Sequence, residues 1–233
     1  MKAHVYSGLK GLILLGLLGA AVAWGAAAQA AARKPVHTAQ HSQSSVAPQD
    51  AYTRALAALR EGRVSEAHAL LRERLRAAPQ DVAASRLLAT LLIDGGQFAE
   101  AASVLSAAQT LAPQNLDVAQ ALARLQVDAG ESGMALQTLE MSASHAQADG
   151  QYLAFMAMLA NRLGQNDRAL DLWQQAVHLN PQEGAWWQAL ARLQQAAGNR
   201  DGARDSYGRA LATASLDDAS RRAVKAALQQ LAR

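Results

Sequence analysis

The residue types that carry covalent or redox chemistry are scarce in this chain. It has no cysteine, which excludes thiolate nucleophiles, disulfides and an acylated lipoprotein cysteine. It also lacks a Gly-x-Ser-x-Gly elbow, a phosphate-cradling glycine loop and a His-Glu-x-x-His pair. His37 and His41 are four residues apart, a spacing that suits two ligands of one metal on a helix. The surrounding segment, RKPVHTAQHSQSSVA, has neither a helical pattern nor a carboxylate, so no metal site is expected there. His68, His145 and His178 follow no common spacing. No enzyme, metal or cofactor is expected, and function must lie in a binding surface.

The elements that would build such a surface are clearest in residues 150–183. Leu153, Met156, Ala157, Leu159 and Ala160 recur at three- and four-residue spacing, the stripe of an amphipathic helix. Gly164 ends it, because glycine takes a left-handed conformation at a helix C-terminus without steric cost. A second stripe runs through Ala169, Leu170, Trp173, Ala176 and Val177 and stops at Asn180-Pro181. Such a hairpin cannot bury its apolar face alone and needs neighbours.

Steps of 34 residues supply them. From Pro48 the turn glycine recurs as Gly62, Gly96, Gly130, Gly164 and Gly198, and a small residue of the second helix as Ala67, Ala101, Ala135, Ala169 and Ala203. Small residues also recur in the first helix, at Ala55, Ala89, Ala123, Ala157 and Ala191. Bulky ones recur in the second, at Leu71, Leu105, Leu139, Trp173 and Tyr207, and Pro79, Pro113 and Pro181 close three of the copies. The pattern resembles the tetratricopeptide repeat. It implies an all-α, right-handed α-solenoid of five hairpins, at 48–81, 82–115, 116–149, 150–183 and 184–217, with a capping helix over 218–233. Repeat 116–149 departs most. Gln147 replaces its proline, and Ser132 and Ser142 occupy places usually bulky and alanine, so it is expected to be the least stable repeat or a bend.

Composition agrees with helix: 51% of residues are hydrophobic but only 4% aromatic. The pI of about 9.5 does not point to nucleic acid. All 19 acidic residues lie at Asp50 or later, and Lys2, Lys10, Arg33 and Lys34 precede it, leaving 18 basic residues in the repeats. This near-neutral balance lacks the electrostatic footprint of a DNA or RNA binder.

Residues 11–32 are uncharged, follow Lys2 and Lys10, and precede Arg33-Lys34. As a helix this run would be about 33 Å long, enough to cross a bilayer core of roughly 30 Å. Residues 1–32 therefore read as a membrane anchor. They read equally as a cleavable signal, because the strongly apolar part is short and Ala26-Ala27-Ala28 or Ala28-Gln29-Ala30 suits cleavage. Either way the repeats are expected outside the cytoplasm, in the periplasm, with residues 33–47 as a flexible linker.

The repeat resemblance implies where a partner would bind. In that family the first helices of successive hairpins line a groove through places 2, 5, 9, 12 and 13 of each repeat. Here those places hold, among others, Tyr52, Arg60, Arg86, Thr90, Asp94, Gln120, Arg124, Asp128, Met158, Asn161, Arg162, Gln188, Arg192 and Gln195. Arginine pairs with carboxylates or peptide carbonyls, and Asn and Gln satisfy an extended backbone. The alternative is a solvated face whose arginines pair with Asp94 and Asp128 within the array. Trp173 and Trp187 fall at packing places. Trp186 falls at a place usually exposed, and either stacks on the previous hairpin or marks a contact patch.

Residues Tyr152, Ala154-Phe155, Leu159, Arg162 and Gly164, then Asn180-Pro181, Gly184, Trp186-Trp187 and Leu190, resemble the C-terminal repeats of the MshN family of MSHA-type pilus biogenesis proteins, as does 122–126. That resemblance implies a single-pass inner-membrane protein with periplasmic repeats, an adaptor in assembly of a type IV pilus or a type II secretion-like machine. Its partners would be protein segments of that envelope complex, with the membrane engaged through residues 11–32. Another envelope pathway, such as a cytochrome c maturation holdase or polysaccharide export, is the alternative.

Overall fold

The computed structural model describes residues 48–146 and 149–233. The anchor or signal, the linker, His37, His41 and Gln147 lie outside the described residues. The described residues form one compact unit. Among the described residues there are eleven α-helices and no strand. They are α1 (Pro48–Arg60), α2 (Val64–Ala77), α3 (Val82–Asp94), α4 (Phe98–Leu111), α5 (Leu116–Asp128), α6 (Ser132–Glu140), α7 (Gly150–Arg162), α8 (Asn166–Leu179), α9 (Gly184–Ala196), α10 (Arg200–Ala212) and α11 (Asp218–Leu231). Each odd-numbered helix packs with the even one after it, and each even one with the next odd one. The result is an all-α solenoid of hairpins.

The sequence period becomes geometry through three devices. Gly62, Gly96, Gly130, Gly164 and Gly198 adopt φ between +74° and +84°, the left-handed turn between the helices of each hairpin. Ala55, Ala123, Ala157 and Ala191, with Ala67, Ala101, Ala135, Ala169 and Ala203, are fully buried where the two helices of a hairpin approach. The third device is a polar cap. The residue before each first helix from α3 onward is Asp81, Asn115, Asp149, Glu183 and Asp217, and all but Glu183 accept the backbone N–H three residues on. The caps at Asp81, Asn115 and Asp149 are each worth about 1 kcal/mol. Asp81 is half-buried, which by itself would raise its pKa, yet the Ala84 N–H and the Arg74 guanidinium at 2.6 Å hold it below the usual carboxylate range.

The third repeat departs where its sequence does. Helix α6 has nine residues where the others have 13 or 14, and a short 3₁₀ turn, Ala143–His145, follows it. Ser142 is fully buried. Its hydroxyl accepts from Gln109 Nε2 at 2.7 Å and donates to the Pro113 carbonyl, so it ties the end of α6 to the turn between α4 and α5. The apolar core divides at this repeat. Val118, Leu122 and Leu125 of α5 belong to a cluster that starts at Ala55, while Ala119 and Ala123 of the same helix belong to one that ends at Leu231.

Tyr152 ties this repeat to the next: it is fully buried and its hydroxyl donates to the Leu139 carbonyl at 2.7 Å. Burial pushes its pKa up to about 12, from 10.0. The folded state therefore keeps the phenol proton longer than the unfolded chain does. The resulting stabilisation is complete below pH 10 and is lost as pH rises towards 12, at about 1.4 kcal/mol per unit. Tyr152→Phe is expected to be less stable than the parent by about 1 kcal/mol at pH 8, through the lost hydrogen bond. Melting temperatures of the two proteins from pH 8 to 11.5 should converge and then cross. A constant gap would show that the phenol is not protected.

Candidate functional site

The solenoid has two long faces, distinguished by the ion pairs that run along them. On the first-helix face Arg86 of α3 reaches Asp117 of α5 at 2.7 Å. On the second-helix face Arg72 of α2 meets Glu100 of α4 at 2.6 Å, and Arg168 of α8 meets Glu140 of α6 at 2.5 Å. All six side chains are more than a third exposed, so each pair contributes at most about 1 kcal/mol.

The arginines of the first-helix face do not pair with Asp94 or Asp128. Arg86 is satisfied by Asp117, and Arg124 donates only to Gln120 Oε1, at 3.2 Å. Arg60, Arg162 and Arg192 are exposed and make no hydrogen bond or ion pair among the described residues; Asp94 and Asp128 are exposed likewise. Three arginines free of any carboxylate thus stand on successive first helices, Arg124 on α5, Arg162 on α7 and Arg192 on α9. Thr90 is tied to the Arg86 carbonyl. Asn161 and Met158 are exposed, Tyr52 and Gln120 half-buried. The face changes character along its length. Leu59, Ile93 and Val127 sit half-buried at one place of the first three repeats, and Asn161 and Gln195 at that place of the last two.

At the C-terminal end the structure brings three expected residues together. Gln188, Arg192 and Gln195 of α9 line an open cleft of about 600 Å³ with Tyr207 of α10 and Ala223 and Ala227 of α11. Tyr207 was read from the sequence as packing alone. It is buried up to its hydroxyl, which donates to Gln195 Oε1 at 3.1 Å, and burial raises its pKa despite the opposing charge of Arg192. A phenol in a column otherwise filled by leucine and tryptophan was the available signal.

Trp186 stacks on the previous hairpin. It is half-buried, its ring centroid 6.4 Å from that of Trp173, and a ring carbon lies 3.2 Å from where a Cβ on Gly150 would stand. Trp187 packs inward, its indole N–H donating to the Pro181 carbonyl at 2.9 Å and the Arg209 guanidinium lying 5.0 Å from its ring centre. Among the described residues no three His, Cys, Asp or Glu side chains cluster as a metal site, and no helix is long and apolar enough to cross a membrane.

This geometry, five hairpins stacked in register with a continuous first-helix face, defines a helical-repeat scaffold. Two family models, both described as tetratricopeptide repeat, match residues 52–115 and 92–159, so this stretch is made of tetratricopeptide repeats. Solved structures share the fold. One, titled as YrrB, a TPR protein with an unusual peptide-binding site, has a TM-score of 0.62 at 16% identity, covering 76% of this chain and 90% of its own. A MamA structure has a TM-score of 0.60 at 16% identity, covering 70% and 90%. MamA from Desulfovibrio magneticus RS-1, residues 41 to the end, has a TM-score of 0.57 at 20% identity, covering 70% and 93%. No match of significance is found among curated proteins.

Proposed function

We propose that this chain is a non-enzymatic adaptor that holds extended segments of partner proteins on its first-helix face, in assembly of an MSHA-type pilus or a type II secretion-like machine. The observation that carries the binding face is the set of three arginines, Arg124, Arg162 and Arg192, exposed on successive helices and unpaired with carboxylates of the chain. A guanidinium that the fold leaves unpaired is free to engage a partner's carboxylates or carbonyls. Tetratricopeptide repeats are generally scaffolds for protein contacts, and one structural neighbour is titled for its peptide-binding site. The pilus assignment rests on the sequence resemblance over the last three repeats. A retained anchor or an exported repeat domain would place this face in the periplasm.

The test is affinity capture from detergent-solubilised envelope, with the full chain as bait and a variant carrying Arg124→Ala, Arg162→Ala and Arg192→Ala as control. The parent is expected to recover pilus-assembly proteins at least tenfold better than the variant. Recovery of apocytochrome or haem-handling proteins would transfer the adaptor to that pathway. Equal recovery by both baits would place binding on the second-helix face.

A further inference from the structure

We infer that the cleft between α9 and α11 is a subsite for the carboxylate of an aspartate or glutamate side chain, carried by the segment that the first-helix face holds. The inference rests on the interaction reading above and adds the chemistry of one contact.

Gln188 points to a ligand. Its side chain lines the cleft with only 9% of the residue exposed, and it makes no hydrogen bond among the described residues. Its amide atoms stay open to the solvent of the cleft, so its two N–H donors and its oxygen are all available to an incoming polar group. The neighbouring amide is oriented. The Tyr207 hydroxyl donates to Gln195 Oε1 at 3.1 Å, which commits that oxygen and leaves the two N–H donors of Gln195 for a ligand.

The third group supplies the charge. Arg192 lies four residues after Gln188 and three before Gln195, so all three project from one stripe of α9. Its guanidinium is unpaired among the described residues, and no acidic side chain lines the cleft. A planar cation flanked by amide donors matches a planar carboxylate. On the opposite wall α11 contributes the small Ala223 and Ala227 and the polar Gln230, so the cleft is open and presents one further amide. Arg162 and Arg124 continue the unpaired positive charge onto α7 and α5. That suits several acidic side chains along one segment better than a single terminal carboxylate.

The probe is a fluorescein-labelled, C-terminally amidated peptide of alternating glutamate and glycine, titrated by anisotropy against the full chain in mild detergent. Its partners are the same peptide with glutamine for glutamate, and that glutamine peptide with a free C-terminal carboxylate. The glutamate peptide is expected to bind at least tenfold more tightly than either and to weaken with salt. Arg192→Gln should remove at least tenfold of that affinity and Gln188→Leu at least threefold. Arg76→Gln, an exposed arginine on α2, should change nothing. Circular dichroism of each variant confirms folding. Equal loss in Arg192→Gln and Arg76→Gln, no preference for glutamate, or tightest binding of the free terminal carboxylate would each overturn the subsite. If Arg192→Gln leaves probe binding unchanged but capture still depends on Arg124 and Arg162, the subsite fails and the adaptor reading stands. If the probe binds as expected and no envelope protein is captured, the reading fails and the subsite's chemistry stands.

Discussion

Trp173→Ala is expected to cost about 3–5 kcal/mol in equilibrium urea unfolding, the range for emptying a buried tryptophan site. Trp173 is 7% exposed in the C-terminal cluster, between the fully buried Ala169 and Ala176 of its own helix and against Trp186 of the next repeat. Its indole N–H is buried without a partner, an inherent cost of the native protein. Trp173→Phe removes that orphan donor along with part of the ring, so it should cost only about 1 kcal/mol, far less than the alanine variant. A usually exposed place in the repeat predicts little loss from Trp186→Ala. Its stacking on Trp173 raises the expectation to about 1 kcal/mol, with the double variant less than additive by about 0.5–1.5 kcal/mol. Equal losses in Trp173→Ala and Trp186→Ala would refute the packing assignment.

The second large effect is expected at the junction of the two apolar clusters. Leu139 is fully buried in the shortened α6, and its carbonyl receives the Tyr152 hydroxyl. Leu139→Ala should cost about 2–5 kcal/mol, but its signature is in cooperativity. Solenoid stability is a sum of repeat and nearest-neighbour terms, so weakening an interior repeat separates what lies on either side. With Trp24 changed to Phe, tryptophan fluorescence comes only from Trp173, Trp186 and Trp187 of the C-terminal cluster, whereas far-ultraviolet circular dichroism reports on every helix. In Leu139→Ala the two probes should therefore give different midpoints, while Leu71→Ala, in the first repeat, should mainly fray the N-terminal end. Coincident transitions in Leu139→Ala would show that the repeat is not the weak point.

The local rules of helix and turn determined much of this protein before any tertiary contact was known. A turn needing positive φ calls for glycine, helices that cross closely call for alanine, and a third repeat with serine at two packing places announces its own irregularity. The Asp and Asn caps at the last place of the repeats are equally legible, since a short polar side chain ahead of an apolar helical stripe is an N-cap signal. What the sequence could not decide is which polar side chains are already satisfied. Arg86 and Arg124 look alike in the chain. Only the stacking of α3 beside α5 brings Asp117 to Arg86, while Arg124 finds just an uncharged amide. Trp186, which the pattern leaves open between stacking and a contact patch, lies against Trp173, and Tyr207 turns its hydroxyl to Gln195. Arg86–Asp117 and Trp173–Trp186 are pairings between hairpins, set by how one leans on the next, whereas Tyr207–Gln195 joins the two helices of a single hairpin. A one-dimensional period fixes which residue types recur, but the distances between neighbouring hairpins decide which of them remain available to a partner.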